Sequence, residues 1–195
     1  STKSVGKFFH LKEFAEKLKK HNIEYKLVSE SDYVVGFPTK QLRKYFATRN
    51  KIKKLVNDFK PNLVFIDRQG YFGLEILKMK IPLFVLLRGH YWSEIEYAKN
   101  TIYKNKIMQK VIDSRKKVAE KVFAESTEIL PICNYLKNIV KEYHPKQKSS
   151  VFIEGVDSTK WYNVEGMKLE HPCVGLLQDA NWWRKTKEML TLEKT

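Results

Sequence analysis

The chain has two cysteines, Cys133 and Cys173, and neither stands in a Cys-x-x-Cys pair or a Cys/His cluster. That spacing argues against a structural zinc site and fits a reducing cytoplasm. The five histidines (His10, His21, His90, His144 and His171) are scattered and lack the i, i+4 pairing with acids that would favour metal ligation. No apolar run approaches a membrane span, the longest being Ile81 to Leu87, the length of one buried strand. No secretory leader pattern, internal repeat or low-complexity segment is legible.

What is present is basic charge and ample apolar content. Lysine plus arginine number 37 against 22 acids, a net charge of +15. Such an excess favours anionic partners, whether nucleic acid, phospholipid head groups or phosphorylated small molecules, without choosing among them. A solvated lysine-rich surface is the plainer reading. Aliphatic and aromatic residues suffice for a packed core.

The pattern along the chain alternates. Phe9 to Lys20 has helical rhythm, stopped by Asn22, and Ile23 to Val28 alternates at period two as a strand does. Tyr33 to Phe37 reads as a second short strand ended by Pro38, and Thr39 to Lys60 as a long basic helix. Pro61 breaks that helix before the apolar run Asn62 to Asp67, expected to be buried on both faces. A helix over 70–79, a strand over 82–87, helical pattern from Tyr91 to about Phe123, a strand over 128–133, a helix over 134–143 and a strand over 151–154 follow. The fold class expected is α/β, a Rossmann-like open parallel sheet flanked by helices. Ligands in such sheets bind beyond the carboxyl ends of the strands, at the loops before the first helix and after Asp67, Leu87 and Glu154.

The loop after Leu87 is Arg88-Gly89-His90. Arginine can hold a phosphate or carboxylate through two parallel bonds, and histidine can donate to a sugar hydroxyl or phosphate near neutral pH. The plain alternatives are that His90 caps the helix from Tyr91 and that Arg88 is a solvated loop residue. Asp67, Arg68 and Tyr71 bring mixed donors and an aromatic ring that would suit a sugar, although Asp67 as a helix N-cap is equally expected.

Several segments in order resemble the N-terminal domain and domain junction of retaining GT-B glycosyltransferases. Pro61-Asn-Leu-Val64 is similar to that family's Pro-Asp-Val-Val, and Ile81-Pro-Leu-Phe-Val85 followed by His90 is similar to its apolar strand ending near a histidine. Leu130-Pro-Ile-Cys-Asn-Tyr-Leu-Lys137 is similar to its strand, serine and helix, with Cys133 in the serine position. Glu154-Gly-Val-Asp157 is similar to its Asn-Gly-Val-Asp, and Val174-Gly-Leu-Leu-Gln178 to the first strand of the second domain. The resemblance implies that His90 contacts the transferred sugar and that Arg88 supports an anion. It also implies that the loop before the first helix, where only Gly6 remains of the family's two glycines, faces phosphate; a plain loop role for Gly6 is the alternative. The donor's diphosphate would be held by Arg184, Lys185 and Lys187, with no metal ion and no cofactor beyond the nucleotide-diphosphate sugar donor.

The organisation implied is an acceptor-side domain over 1–157, a linker over 158–172 and the first strand and helix of a nucleotide-sugar-binding domain over 173–195. Opening on a loop where a strand is usual, and ending on a helix that stops, the chain is expected to be a fragment of a longer enzyme. That enzyme would transfer a hexose to a sugar, lipid or polyol acceptor. It is expected in the cytoplasm, with the inner membrane face as a candidate peripheral contact; nucleic acid is not the expected partner. The alternative is a non-enzymatic nucleic-acid or anionic-membrane binding module built on the basic helix 40–60.

Overall fold

The computed structural model describes residues 5–35, 42–155, 158, 159 and 166, with side chains described from residue 11 onward except at 42 and 44–46. The chain divides into two compact units, residues 1–154 and 155–195. Only residues 155, 158, 159 and 166 of the second are described. The expected strand and helix over 173–195, with Arg184, Lys185 and Lys187, lie outside the described residues.

The first unit is a mixed α/β structure. Its helices are α1 (Val5–Leu18), α2 (Glu30–Tyr33), α3 (Leu42–Phe59), α4 (Tyr71–Lys78), α5 (Tyr91–Thr101), α6 (Lys106–Glu125) and α7 (Asn134–Tyr143). They flank a three-stranded open sheet of β1 (Val64–Ile66), β2 (Leu83–Leu87) and β3 (Glu128–Pro131). All pairings are parallel, in the order β1-β2-β3, with Val64 opposite Leu83 and Val85 opposite Ile129. Each parallel step needs a crossover, which α4 supplies between β1 and β2 and the α5–α6 pair between β2 and β3.

Local chemistry sets the boundaries. Asn22 closes the first helical segment in the left-handed region, with φ 55°, its N–H donating to the Lys19 carbonyl. Lys60 and Lys80 also take positive φ, each just before the short segment that leads into a strand. Asn105 starts α6 by accepting the Ile107 N–H at 2.8 Å. The core gathers β2 and β3 with one face of each neighbouring helix: Leu83, Val85 and Leu87 from β2, Ile129 from β3, Ile52 from α3, Ile76 from α4, Val122 and Phe123 from α6, and Leu136 and Val140 from α7. Burying such side chains contributes about 1.5–3 kcal/mol each relative to exposure.

Four expectations need correction. Ile23 to Val28 keeps its alternation only from Glu24 to Leu27, with Tyr25 and Leu27 half-buried and Glu24 and Lys26 exposed, and it joins no ladder among the described residues and is not a strand. The stretch beginning at Tyr33 is the end of helix α2, whose start, Ser29-Glu30-Ser31-Asp32, carries the acidic first turn that favours a helix N-terminus; residues 36 and 37 lie outside the described residues. The run 62–67 is half-buried over Val64 and Phe65 and buried only at Ile66, because β1 has a described strand neighbour on one side only.

Residues 151–154 are not a strand either. Ile129 donates to the Lys148 carbonyl at 3.0 Å and accepts from the Ser150 N–H at 3.2 Å, a parallel bridge between Ile129 and Ser149. Phe152 then donates to the Pro131 carbonyl at 2.8 Å. The return bond would need an N–H on Pro131, and proline has none, so the ladder ends there.

Candidate functional site

Three segments meet at the carboxyl edge of the sheet: Asp67–Gly70 after β1, Arg88–His90 after β2, and the chain leaving β3's flank at Glu154. Parallel strands β1 and β2 deliver the first two to the same side, the Phe152 bond to the Pro131 carbonyl holds the third beside β3, and Arg88 ties them together. One of its terminal nitrogens is hydrogen-bonded to Glu154 Oε1, and the other lies 3.7 Å from Asp67 Oδ2. Side-chain exposure falls from 39% at Glu154 to 19% at Arg88 and 9% at Asp67, so the arginine joins a solvated acid to one largely withdrawn from water. Arg88 Nε is buried and finds no hydrogen-bond partner among the described residues.

Two of the expected roles change. Arg88 is not a solvated loop residue, because its side chain is largely covered and two carboxylates face it. Asp67 does not cap a helix: the cap of α4 is Gly70, with no side-chain cap bond, and Asp67 is turned to Arg88. The turns on this edge are also lined by acid. A Cβ on Gly70 would stand 2.8 Å from Glu30 Oε1, and one on Gly89 would stand 2.7 Å from Glu94 Oε1. The two carboxylates occupy space that a side chain at these glycines would contest.

His90 stands at the start of α5 and performs the cap: its Nδ1 accepts the Ser93 N–H at 3.2 Å. With Nδ1 an acceptor, the neutral ring carries its proton on Nε2, which remains a donor. The half-buried ring packs among aromatic neighbours, 6.2 Å from Trp92 and Tyr143 and 6.3 Å from Tyr135, centroid to centroid. Beneath it Trp92 stacks on Tyr143 at 4.3 Å, and Trp92 Nε1 donates to Glu120 at 2.9 Å. The other Glu120 oxygen meets His144 Nε2 at 2.8 Å. Burial, then the charges of Glu120 and Glu94, push the Tyr91 phenol well above its ordinary value.

The remaining expected residues divide. Arg68 is exposed on the loop after β1, and Tyr71 is half-buried at the first position of α4, both on the edge that carries Asp67 and Arg88. Gly6 lies within the first turn of α1, and the residues ahead of that helix lie outside the described ones. Of the basic residues on α3, Arg43, Lys51, Lys53 and Lys54 are exposed, while Arg49 reaches the buried Glu75 at 3.4 Å. Cys133 is exposed at the N-cap of α7 and makes no side-chain cap bond.

Glu154 was missed as a site residue. Its signal was an acid closing an apolar run just before Gly155, where it could reach across to a cation on the neighbouring loop. Tyr135, exposed beside His90, was also missed; its position right after the helix start at Asn134 was the available sign. Among the described residues no group of three or more His, Cys, Asp or Glu side chains could hold a metal ion, and no helix is long and apolar enough to cross a membrane. Comparison with protein-family models, with curated proteins and with solved structures finds no match to this chain.

Proposed function

We propose that this chain is the acceptor-side domain of a GT-B glycosyltransferase, with the beginning of its nucleotide-sugar domain, and that the enzyme moves a hexose from a nucleoside-diphosphate sugar to a sugar, lipid or polyol acceptor. The observation that carries this reading is the carboxylate-lined edge around Arg88 in a chain of net charge +15. Asp67 and Glu154 outnumber the arginine they hold, and Glu30 and Glu94 lie against the adjoining turns. Such an edge repels a phosphate. It suits a neutral polyhydroxyl ligand, whose hydroxyls donate to carboxylates and accept from nitrogen donors.

In this reading the two ends of the donor are handled separately. The hexose meets the edge of the first unit, where His90 Nε2–H donates to a hydroxyl or bridging oxygen. The diphosphate is held by Arg184, Lys185 and Lys187, whose charges stabilise the leaving group as its negative charge grows. Sequence order, parallel topology and the site's place at the strand ends support the assignment.

The test is sugar transfer from a panel of nucleoside-diphosphate sugars by the enzyme carrying this domain, with His90→Asn beside the parent. Asparagine is a good N-cap, so the start of α5 is retained while the Nε2 donor is lost. Turnover should fall about tenfold to a thousandfold, as for one lost transition-state donor. Full activity in His90→Asn would make His90 a cap alone.

A further inference from the structure

We infer that the corner between α5 and α6 is a docking surface for an anionic phospholipid bilayer. This does not depend on the sugar-transfer reading. Residues 97–112, Tyr-Ala-Lys-Asn-Thr-Ile-Tyr-Lys-Asn-Lys-Ile-Met-Gln-Lys-Val-Ile, contain four lysines and no acid. Lys99 is paired with Asp113 at the corner's base. Lys104, Lys106 and Lys110 are exposed and make no ion pair with a described residue. Between them stand two large aliphatic side chains turned to water, Ile102 at 63% exposure and Ile107 at 73%.

The backbone holds this corner in a defined shape. Ile102 and Tyr103 both donate to the Ala98 carbonyl, at 3.0 and 2.8 Å, closing α5, and Asn105 caps α6 through the Ile107 N–H. Two isoleucines are thus presented on a short turn with half-buried Tyr103 between them and lysines around them. Water gives no return for exposing isoleucine, whereas the head-group boundary of a bilayer accepts its side chain and lets lysine stems lie along the apolar surface with their charges among lipid phosphates. Nucleic acid would use the lysines but leave the isoleucines wet. The basic face of α3 has the complementary deficiency, since its exposed Lys51, Lys53 and Lys54 stand with no exposed large apolar side chain among the described ones of that helix. The net charge of +15 adds long-range attraction towards an anionic surface.

The experiment is vesicle co-sedimentation of the full chain with phosphatidylcholine alone and with equal parts phosphatidylcholine and phosphatidylglycerol. Binding is expected only to the anionic vesicles and should weaken with added salt. Lys104→Glu with Lys106→Glu should lower the partition constant at least about 25-fold, near fivefold for each lysine removed. Ile102→Ser with Ile107→Ser should lower it about tenfold or more, with far-ultraviolet dichroism and melting unchanged because both side chains face water. Lys51→Glu with Lys53→Glu should retain more than half the binding of the parent chain. Failure of the parent chain to bind anionic vesicles would overturn the inference. So would equal loss in the α3 variant, or full binding by the isoleucine variant. If the isoleucine variant instead abolished self-association of a chain that ignored vesicles, a second copy would be the occupant and the inference would again be wrong.

Discussion

The guanidinium of Arg88, one residue beyond β2, is hydrogen-bonded to the carboxylate of Glu154, the last residue of the first compact unit. The same guanidinium faces Asp67, whose side chain is 9% exposed. The two acids therefore differ in what they lose when the arginine goes. Asp67 would be left as a largely covered charge without its cation, whereas Glu154 can turn to water. Arg88→Ala should lower unfolding stability by about 2–4 kcal/mol, most of it through Asp67. Glu154→Gln should cost about 1 kcal/mol or less, since that pair is open to solvent. Urea denaturation of the two variants checks the order; equal losses would mean that Asp67 draws little from Arg88.

His90 joins a cap to the proposed chemical role, and substitutions separate them. His90→Ala should cost about 1 kcal/mol for the lost bond to the Ser93 N–H, with a further loss from packing against Trp92 and Tyr143. His90→Asn should recover the cap contribution. Thermal melts of both variants read this directly, and an asparagine variant no more stable than the alanine one would show that the Nδ1 bond contributes nothing to the start of α5.

The pH dependence has an acid limb and an alkaline limb. Hydrogen bonding from Ser150, with support from Lys148, holds the Glu128 carboxyl below its ordinary value of 4.5. The unfolded chain then binds the proton more readily, so this contribution is present above the ordinary value and is lost as pH falls through the lower folded value. Ser150→Ala should move the acid unfolding midpoint to higher pH. For Tyr91 the folded value is raised from 10.0, chiefly by burial. Its contribution is full below pH 10 and lost as pH rises towards the folded value, because the unfolded phenol ionises first. Tyr91→Phe should move the alkaline midpoint upward, and an unchanged midpoint would place that limb in other groups.

Gly73 lets α4 approach both β1 and α6. A Cβ there would stand 2.8 Å from Ile66 Cδ1 and 3.1 Å from Val122 Cγ1, both in the core. Gly73→Ala gains about 1 kcal/mol of helix propensity but forces branched side chains apart at a cost of about 1–3 kcal/mol. The net change in a denaturation midpoint should be destabilising. A stabilised variant would show that Ile66 and Val122 relax freely.

Elements whose apolar pattern matches their own buried face were legible in the sequence. The apolar run ending at Leu87 and the helix 134–143 lie where the sequence pattern placed them, the helix turning Leu136 and Val140 inward. Misread elements depended on partners that the sequence does not display. Ile23 to Val28 has strand periodicity and no ladder among the described residues, and the 151–154 run is stopped by a missing N–H on Pro131, a residue in another element. The site was legible as a set of loops, because parallel topology sends the residues after β1 and β2 to one edge. The pairing inside it was not, since Arg88 and Glu154 are 66 residues apart and their contact exists only once the sheet has formed.

The most direct measurement for the sugar-transfer account is amide shift mapping by nuclear magnetic resonance on the full chain. It would be titrated with a panel of nucleoside-diphosphate sugars and, separately, with the matching nucleoside diphosphates. The account predicts that at least one sugar nucleotide shifts the amides of residues 67–71, 88–91 and 154 together with those of 184–187, and that the diphosphate without its sugar shifts only 184–187. Shifts confined to the exposed lysines of α3 and the α5–α6 corner, or no shifts with any donor, would contradict it.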